Sequence, residues 1–357
     1  MNNSRLVVLI PAYNEASSIG DTIQALMVQE RKADQVIVIP NGCTDNTADV
    51  ARRYPVTVME LPKLKHRKSE ALNRAWMEYA QDASYVVCLD ADTVLPPNAL
   101  KDWEIELQAD PALAGSSSKF TMQQKGILPR MQKAEFATWT TTGLKLGKTS
   151  VLAGTGCIFN NESLKAVARR DDREAPWCYT SATEDFELTY RIRELGYHCH
   201  ISPTVRAYTD SMRDLKSLWA QRMKWSVGTQ QDLLTFGVNR LTLRDWGQQL
   251  MGLLNIFLKT LWLAVIVGYA VLGELTIIWG WLLLPFLFIG LDVKRAMMIP
   301  HRDKKDIWLA ISFFPNELFM WMRAGWTAWS WIQVFKMKIT KKNTDLWAKQ
   351  AVSEGIA

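Results

Sequence analysis

The chain has 357 residues, 48% of them apolar and 22% charged, with a formal net charge of +6, which is room for one sizeable domain with an appendage. The basic residues do not form the interleaved pattern of an RNA-binding surface, which excludes nucleic acid as a partner. None of the five cysteines (Cys43, Cys88, Cys157, Cys178, Cys199) stands in a C-x-x-C pair, which excludes a disulfide framework or zinc site and fits reduced thiols in a cytosolic domain.

The averages hide two unlike halves: after about residue 245 the chain turns strongly apolar and Trp-rich. The polar start, with no signal-peptide pattern, leads into an apolar run at 6–10 that ends at Pro11 and reads as a buried parallel strand. Helical spacing follows over 17–29. A second buried strand at 36–39 ends at Pro40. A helix is expected over 44–54 with Thr44 as its cap, a short strand at 56–59, a helix over 69–80, and a fourth strand at 85–89 that runs into Asp90-Ala91-Asp92. Such alternation implies an α/β domain, a mainly parallel sheet with helices on both faces. Ligands then bind beyond the carboxyl ends of the strands, where the polar clusters 11–15, 41–45 and 90–92 fall.

The middle, 115–200, is less regular. It holds a Gly-rich turn, Gly154-Thr155-Gly156, and Thr183-Glu184-Asp185 before a helix that stops at Gly196. Residues 212–225 read as a basic, Trp-bearing amphipathic helix suited to a membrane interface. Two apolar stretches, 250–272 and 275–291, are parted by Gly273-Glu274. About 20 apolar residues span a bilayer, so these read as a transmembrane hairpin. The loop 293–306 carries Lys294, Arg295, Arg302, Lys304 and Lys305, and positive loops stay cytosolic. Two spans also return the chain to the side of the first domain. The segment 307–335 is apolar but broken by Pro315, Asn316, Glu317 and Arg323, and reads as a further span, a re-entrant pair or an interfacial segment. The tail after 336 is basic. The expected division is therefore 1–211, 212–249, 250–291, 292–306, 307–335 and 336–357.

Asp90 and Asp92 set two carboxylates at the mouth of the sheet. They repel unless something positive lies between them. A hard divalent cation, Mg2+ or Mn2+, shared with a substrate diphosphate answers that need and suggests glycosyl or nucleotidyl transfer. Asp185, at the opening of a helix whose dipole attracts a carboxylate, is the candidate general base; a plain helix cap is the alternative.

Six motifs together resemble the family 2 inverting glycosyltransferases. They are Ile10-Pro11-Ala12-Tyr13-Asn14-Glu15, Asn41-Gly42-Cys43-Thr44-Asp45, Leu89-Asp90-Ala91-Asp92, Gly154-Thr155-Gly156, Thr183-Glu184-Asp185 and Gln221-Arg222-Met223-Lys224-Trp225. Their order, followed by apolar helices, is similar to the membrane-embedded branch that makes cellulose, chitin, hyaluronan and poly-N-acetylglucosamine. The resemblance implies a GT-A-type fold: a mixed, mainly parallel sheet with flanking helices, then interfacial helices and a C-terminal transmembrane region. It implies an integral protein of a bacterial inner membrane with a cytosolic site. A UDP-sugar is the implied donor, and a glycan or a membrane lipid (a polyprenyl phosphate, diacylglycerol or ceramide-like molecule) the implied acceptor.

It also implies roles. Pro11, Tyr13, Glu15, Asn41 and Asp45 would line the nucleoside pocket. Lys68 would reach the donor phosphates. Asp90 would contact the nucleotide, and Asp92, with Asp90, the metal. Asp185 would be the base. Gly154, Thr155, Gly156, Glu184, Gln221, Arg222, Lys224 and Trp225 would frame the diphosphate and the acceptor. Two departures stand out: Asn41 where many relatives carry an acid, and Lys224 where the pattern has arginine, which loses the bidentate fork. The membrane region is small for a polymer channel, which leaves a homo-oligomer, or a short or lipid-linked product, as ways to serve. A nucleotide-binding scaffold without activity is the non-catalytic alternative.

Overall fold

The computed structural model describes residues 4–170, 173–274, 283–341 and 344–355. The chain divides into two compact units, Met1–Gln123 with Trp139–Ser211, and Gln124–Thr138 with Met212–Ala357. Residues 124–138, expected inside the first domain, group with the second unit instead. Polar and apolar contacts both hold it there: the Gln132 carboxamide donates to the Met212 carbonyl at 2.8 Å and accepts from its N–H at 3.2 Å, Arg130 forks onto Asp303 and Asp306, and Met131 packs with Leu218 and Met223.

The first unit runs β1 (Leu6–Ala12), α1 (Ile19–Met27), β2 (Gln35–Pro40), α2 (Thr47–Ala51), β3 (Thr57–Val58), α3 (Arg67–Ala75), β4 (Tyr85–Leu89), α4 (Ala99–Ala109), β5 (Leu113–Met122), α5 (Ile127–Leu146), β6 (Gly156–Asn160), α6 (Asn161–Ala168), α7 (Glu184–Glu194) and β7 (His198–Thr209). The boundary between the units falls within α5. The strands form one sheet in the order β3-β2-β1-β4-β6-β5-β7. β6 is antiparallel to both its neighbours, and the other pairings are parallel. The apolar runs are continuous because both faces are covered. Val7, Leu9, Ile37 and Ile39 pack on one side with Leu72 and Leu188; Leu6, Val8, Ile10, Val36 and Val38 pack on the other with Ile23 and Trp103. Each such side chain contributes roughly 1.5–3 kcal/mol on burial.

Three expectations shift. The helix expected over 44–54 is only Thr47–Ala51: Thr44 bonds to Asn14 of the β1–α1 loop, and Asp45 is shared between Ala16 of that loop and the Thr47 N–H. The helix expected over 69–80 ends in a π-helical turn, Trp76–Ala80. There the Trp76 indole donates to Asn161, whose amide in turn holds the carbonyls of Ala80 and Ala83. The middle also contains a 20-residue helix, α5, that the sequence reading passed over.

The second unit adds α8 (Leu215–Phe236), α9 (Leu243–Val271), α10 (Leu284–Met297), α11 (Lys304–Ile311), α12 (Phe313–Thr340) and α13 (Leu346–Glu354). The segment expected as an interfacial helix is the first part of α8, which packs against α12 and α13 and buries Leu218, Met223 and Val227 with Phe319, Trp326 and Val334. No break falls at residue 250: α9 starts at Leu243 and ends where Gly273 takes a positive φ of 74°. Across α9 an 18-residue window has a mean hydropathy of 2.1 and none of it is buried; by length and composition it is able to cross a membrane. The start of the second expected span, 275–282, lies outside the described residues, and the rest lies in α10. The broken-looking segment 307–335 resolves into the end of α11 and one continuous helix. Pro315 falls in the first turn of α12, where a missing N–H costs nothing. The expected basic loop is mostly helical, with its connection confined to 298–303.

Candidate active site

At the carboxyl end of β1 and β2 two loops are laced together. Asn14 takes a left-handed backbone, φ 55°, which its short polar side chain tolerates better than most. Its carboxamide oxygen accepts the Thr44 N–H at 2.7 Å, and its amide donates to the Thr44 hydroxyl at 3.1 Å. Asp45 accepts from the N–H groups of Ala16 and Thr47, each at 3.0 Å, and from the Thr47 hydroxyl. Burial alone would raise the Asp45 pKa, but the Thr47 hydroxyl and these N–H bonds outweigh it and hold the carboxyl below its ordinary range. The Thr47 hydroxyl accepts the Glu15 N–H at 2.8 Å, and the Glu15 carboxylate accepts from Ser18 at 2.6 Å. Pro11 and Tyr13 lie half-buried beside them. Gly42 has φ 65°, and a Cβ there would meet Lys63 Cα at 2.7 Å, so that turn requires glycine. Asn41 is buried, and its oxygen accepts the Leu64 N–H at 3.1 Å. That oxygen therefore serves the loop leading to α3.

The antiparallel strand β6 enters the sheet where the parallel strands leave it. Leu89 pairs with Gly156, so Gly154-Thr155-Gly156 lies against the end of β4. The Lys68 ammonium, from the first turn of α3, sits 2.6 Å from Asp90 Oδ1 and 3.6 Å from Glu184 Oε1. Burial opposes its charge, but Asp90, Glu184 and Asp185 outweigh that and hold its pKa above the ordinary lysine value. A Cβ on Gly154 would stand 2.7 Å from Lys68 Nζ. Asp185, half-buried in the first turn of α7, accepts from the Gly154 N–H at 3.4 Å through one oxygen and from the Phe186 N–H at 2.8 Å through the other. Lys68, Asp90, Gly154, Glu184 and Asp185 are thus brought together at one sheet end.

Asp92 accepts from the hydroxyls of Thr93 and Thr209, each at 3.3 Å. Burial, then the neighbouring carboxylates of Asp90 and Asp210, push its pKa up to about 7. The sequence reading missed Thr209 and Asp210. They close β7, the same strand-end rule that flagged the other loops, but β7 lies far along the chain and carries no short motif. Among the described residues no group of three or more His, Cys, Asp or Glu side chains is placed to hold a metal ion. A carboxylate under this pressure from its neighbours still suits a hard cation whose other ligands come from a substrate.

The Gln221 to Trp225 motif lies in the second unit, on α8. Arg222 is buried and donates to Glu135 at 2.9 Å, and Arg323 bonds the other Glu135 oxygen at 3.2 Å. The Arg222 guanidinium stacks 4.3 Å from the Trp225 ring and donates to its neighbour Gln221. Lys224 is buried with its ammonium 3.2 Å from the Trp347 ring centre. Glu135 gave no signal in the sequence, because its partners are distant in the chain.

The family model for Glycosyltransferase like family 2 matches residues 4–228. The poly-beta-1,6-N-acetyl-D-glucosamine synthase of Staphylococcus epidermidis is 24% identical over 235 residues, 63% of this chain and 55% of that one. The synthase of the same name from Staphylococcus aureus is 24% identical over 238 residues, 64% and 55%. The chain spans about half the length of these curated relatives. Among solved structures, the mannosyltransferase PcManGT from Pyrobaculum calidifontis, in complex with GDP-Man and Mn2+, is 18% identical with a TM-score of 0.64. That match covers 93% of this chain and 87% of the other. At that identity the likeness is one of fold.

Proposed function

We infer the reaction from one premise: the chain belongs to glycosyltransferase-like family 2 and is a glycosyltransferase. It transfers a sugar, with inversion, from a UDP-sugar to a growing polysaccharide at the cytosolic face of a membrane. The observation that carries this reading is the part-buried Lys68 ammonium bridging Asp90 and Glu184, one residue from Asp185. A fixed cation meets the donor diphosphate there, and a base stands beside it. The names of the matched synthases support a polymer as product. The unburied apolar helix α9 supports a membrane location.

The β1 and β2 loops, with Tyr13, Glu15 and Asp45, take the nucleoside. Lys68 takes phosphate oxygen, and Asp90 orients Lys68. The acceptor hydroxyl oxygen attacks the anomeric carbon from the face opposite the leaving group. The carbon–oxygen bond to the diphosphate breaks, UDP leaves with the electron pair, and the hydroxyl proton passes to the Asp185 carboxylate. Holding both substrates in line supplies much of the rate. Asp92 and Asp90 would hold Mg2+ or Mn2+, which when bound would neutralise charge growing on the departing diphosphate.

The test is a panel of UDP-sugars, with Mg2+ or Mn2+, offered to the protein reconstituted in lipid vesicles. UDP release with a polymer on product sizing is expected. A single sugar on a lipid would replace the polysaccharide acceptor with a lipid one. No UDP release with any sugar would contradict the reading and leave the scaffold alternative.

A further inference from the structure

The loop before Asp185 is anchored twice and exposes an aromatic ring between the anchors. Its first anchor is Trp177, whose carbonyl accepts from the Asn73 amide at 2.8 Å and whose N–H donates to the Asn73 oxygen at 2.9 Å. The Trp177 ring is buried edge-on against Phe159. The second anchor is Thr183, buried at the start of α7, with its N–H on the Ser181 hydroxyl at 3.0 Å. Between them the Tyr179 carbonyl lies 2.9 Å from His66 Nδ1, and the two rings are 5.2 Å apart, inclined by 41°. Tyr179 nevertheless remains 37% exposed.

Ring and site are close in chain terms. His66 precedes Lys68 by two residues, so their Cα atoms are within roughly 7 Å. Lys68 in turn reaches Glu184, next to Asp185. The ring packs on His66, but the backbone of the loop is held independently by hydrogen bonds to Asn73 and His66. A part-exposed aromatic ring suits the apolar face of a sugar ring.

We propose that Tyr179, steadied by His66, is an acceptor-binding platform on which a sugar of the incoming glycan stacks while a hydroxyl is presented to Asp185. This rests on the transferase reading above. The acceptor is favoured over the donor because Tyr179 shares its loop with the base. The nucleoside-binding residues proposed above lie on the separate β1 and β2 loops.

The experiment uses full-length protein in vesicles, UDP-N-acetylglucosamine as donor and a tetrasaccharide of β-linked N-acetylglucosamine as acceptor. Three quantities are read: UDP affinity, slow UDP release to water without acceptor, and acceptor-dependent kinetics. Tyr179→Ala and Tyr179→Leu are expected to raise the acceptor KM about tenfold, with UDP affinity and release to water unchanged. Tyr179→Phe is expected to stay within about twofold of the unaltered protein, because the ring is kept. Unchanged release of UDP to water, which needs the Asp185 base at the end of the same loop, shows that the loop is still folded. If Tyr179→Leu behaves like Tyr179→Phe, or if the acceptor KM does not move, the platform is overturned. A weakened UDP affinity instead would overturn it in favour of base stacking. If the unaltered protein releases no UDP with any sugar of the panel above, the transferase reading fails first and takes the platform with it.

Discussion

The Lys68 ammonium, part-buried among three carboxylates, stands where a side chain at position 154 would begin: a Cβ there would lie 2.7 Å from Nζ, and the end of Lys68 would have to shift. Gly154 also lends its N–H to Asp185. Gly154→Ala should push Lys68 off Asp90 and cost about 1–3 kcal/mol of a charge-assisted contact. UDP titration should then show affinity falling about tenfold; unchanged affinity would mean that Lys68 does not meet the diphosphate. The sequence made Asp90 and Asp185 visible, because each ends or opens an element in a short motif, while Lys68 was implied only by the family resemblance. It also posed the correct physical question, what lies between the carboxylates, and named only a metal. In the structure the first positive group at Asp90 is Lys68, 22 residues earlier in the chain and in the first turn of α3. Asn41 shows the opposite limit. The resemblance implies a place for it in the nucleoside pocket, while its oxygen holds the Leu64 backbone, a partner no local pattern announces.

Elements were legible where burial dictates pattern and illegible where direction or partner decides. β4 was read at its exact bounds because its apolar run stops at a charged pair. The reversal of β6 was not legible, since a buried strand looks the same in either direction, and that reversal is what delivers Gly154 to the site. α4 is tied to β5 and β7 through Glu106, whose carboxylate accepts from Ser116 and Ser202 and meets His200 at 3.0 Å. Burial would raise the Glu106 pKa, but His200 and the two serines outweigh it and hold the carboxyl below its ordinary range. A depressed carboxyl contributes stability above its unfolded value, about 4.5, and that contribution is lost as pH falls through the folded value. Glu106→Gln should therefore flatten the fall in thermal midpoint below about pH 4.5; an acid limb as steep as that of the unaltered protein would contradict the assignment. In the second unit Lys259, in the middle of α9, pairs with Glu317 of α12 beside Phe288 and Trp321. On the proposed membrane reading, a charge on α9 is kept only when paired. Lys259→Leu alone should destabilise the protein in detergent by about 3–5 kcal/mol, and adding Glu317→Leu should recover most of it. Equal losses in both variants would mean the pair is exposed to water.

The whole molecule joins a nucleotide-type sheet to a helical unit whose α9 and α12 present long apolar surfaces: Phe257 and Leu258 on one, Phe314, Leu318 and Ile339 on the other are all more than half exposed. Exposed apolar area of that extent marks a surface for lipid or for another protein, and the membrane reading proposed above takes it as lipid-facing. The protein is expected to stay with vesicles through a high-salt wash, and its release by salt alone would argue against embedding. The measurement that bears most directly on the account pairs two readings on Asp185→Asn in vesicles, namely UDP affinity and sugar transfer. The account predicts unchanged UDP affinity with transfer reduced about a thousandfold, because only the proton acceptor is lost. Transfer at the rate of the unaltered protein would contradict it.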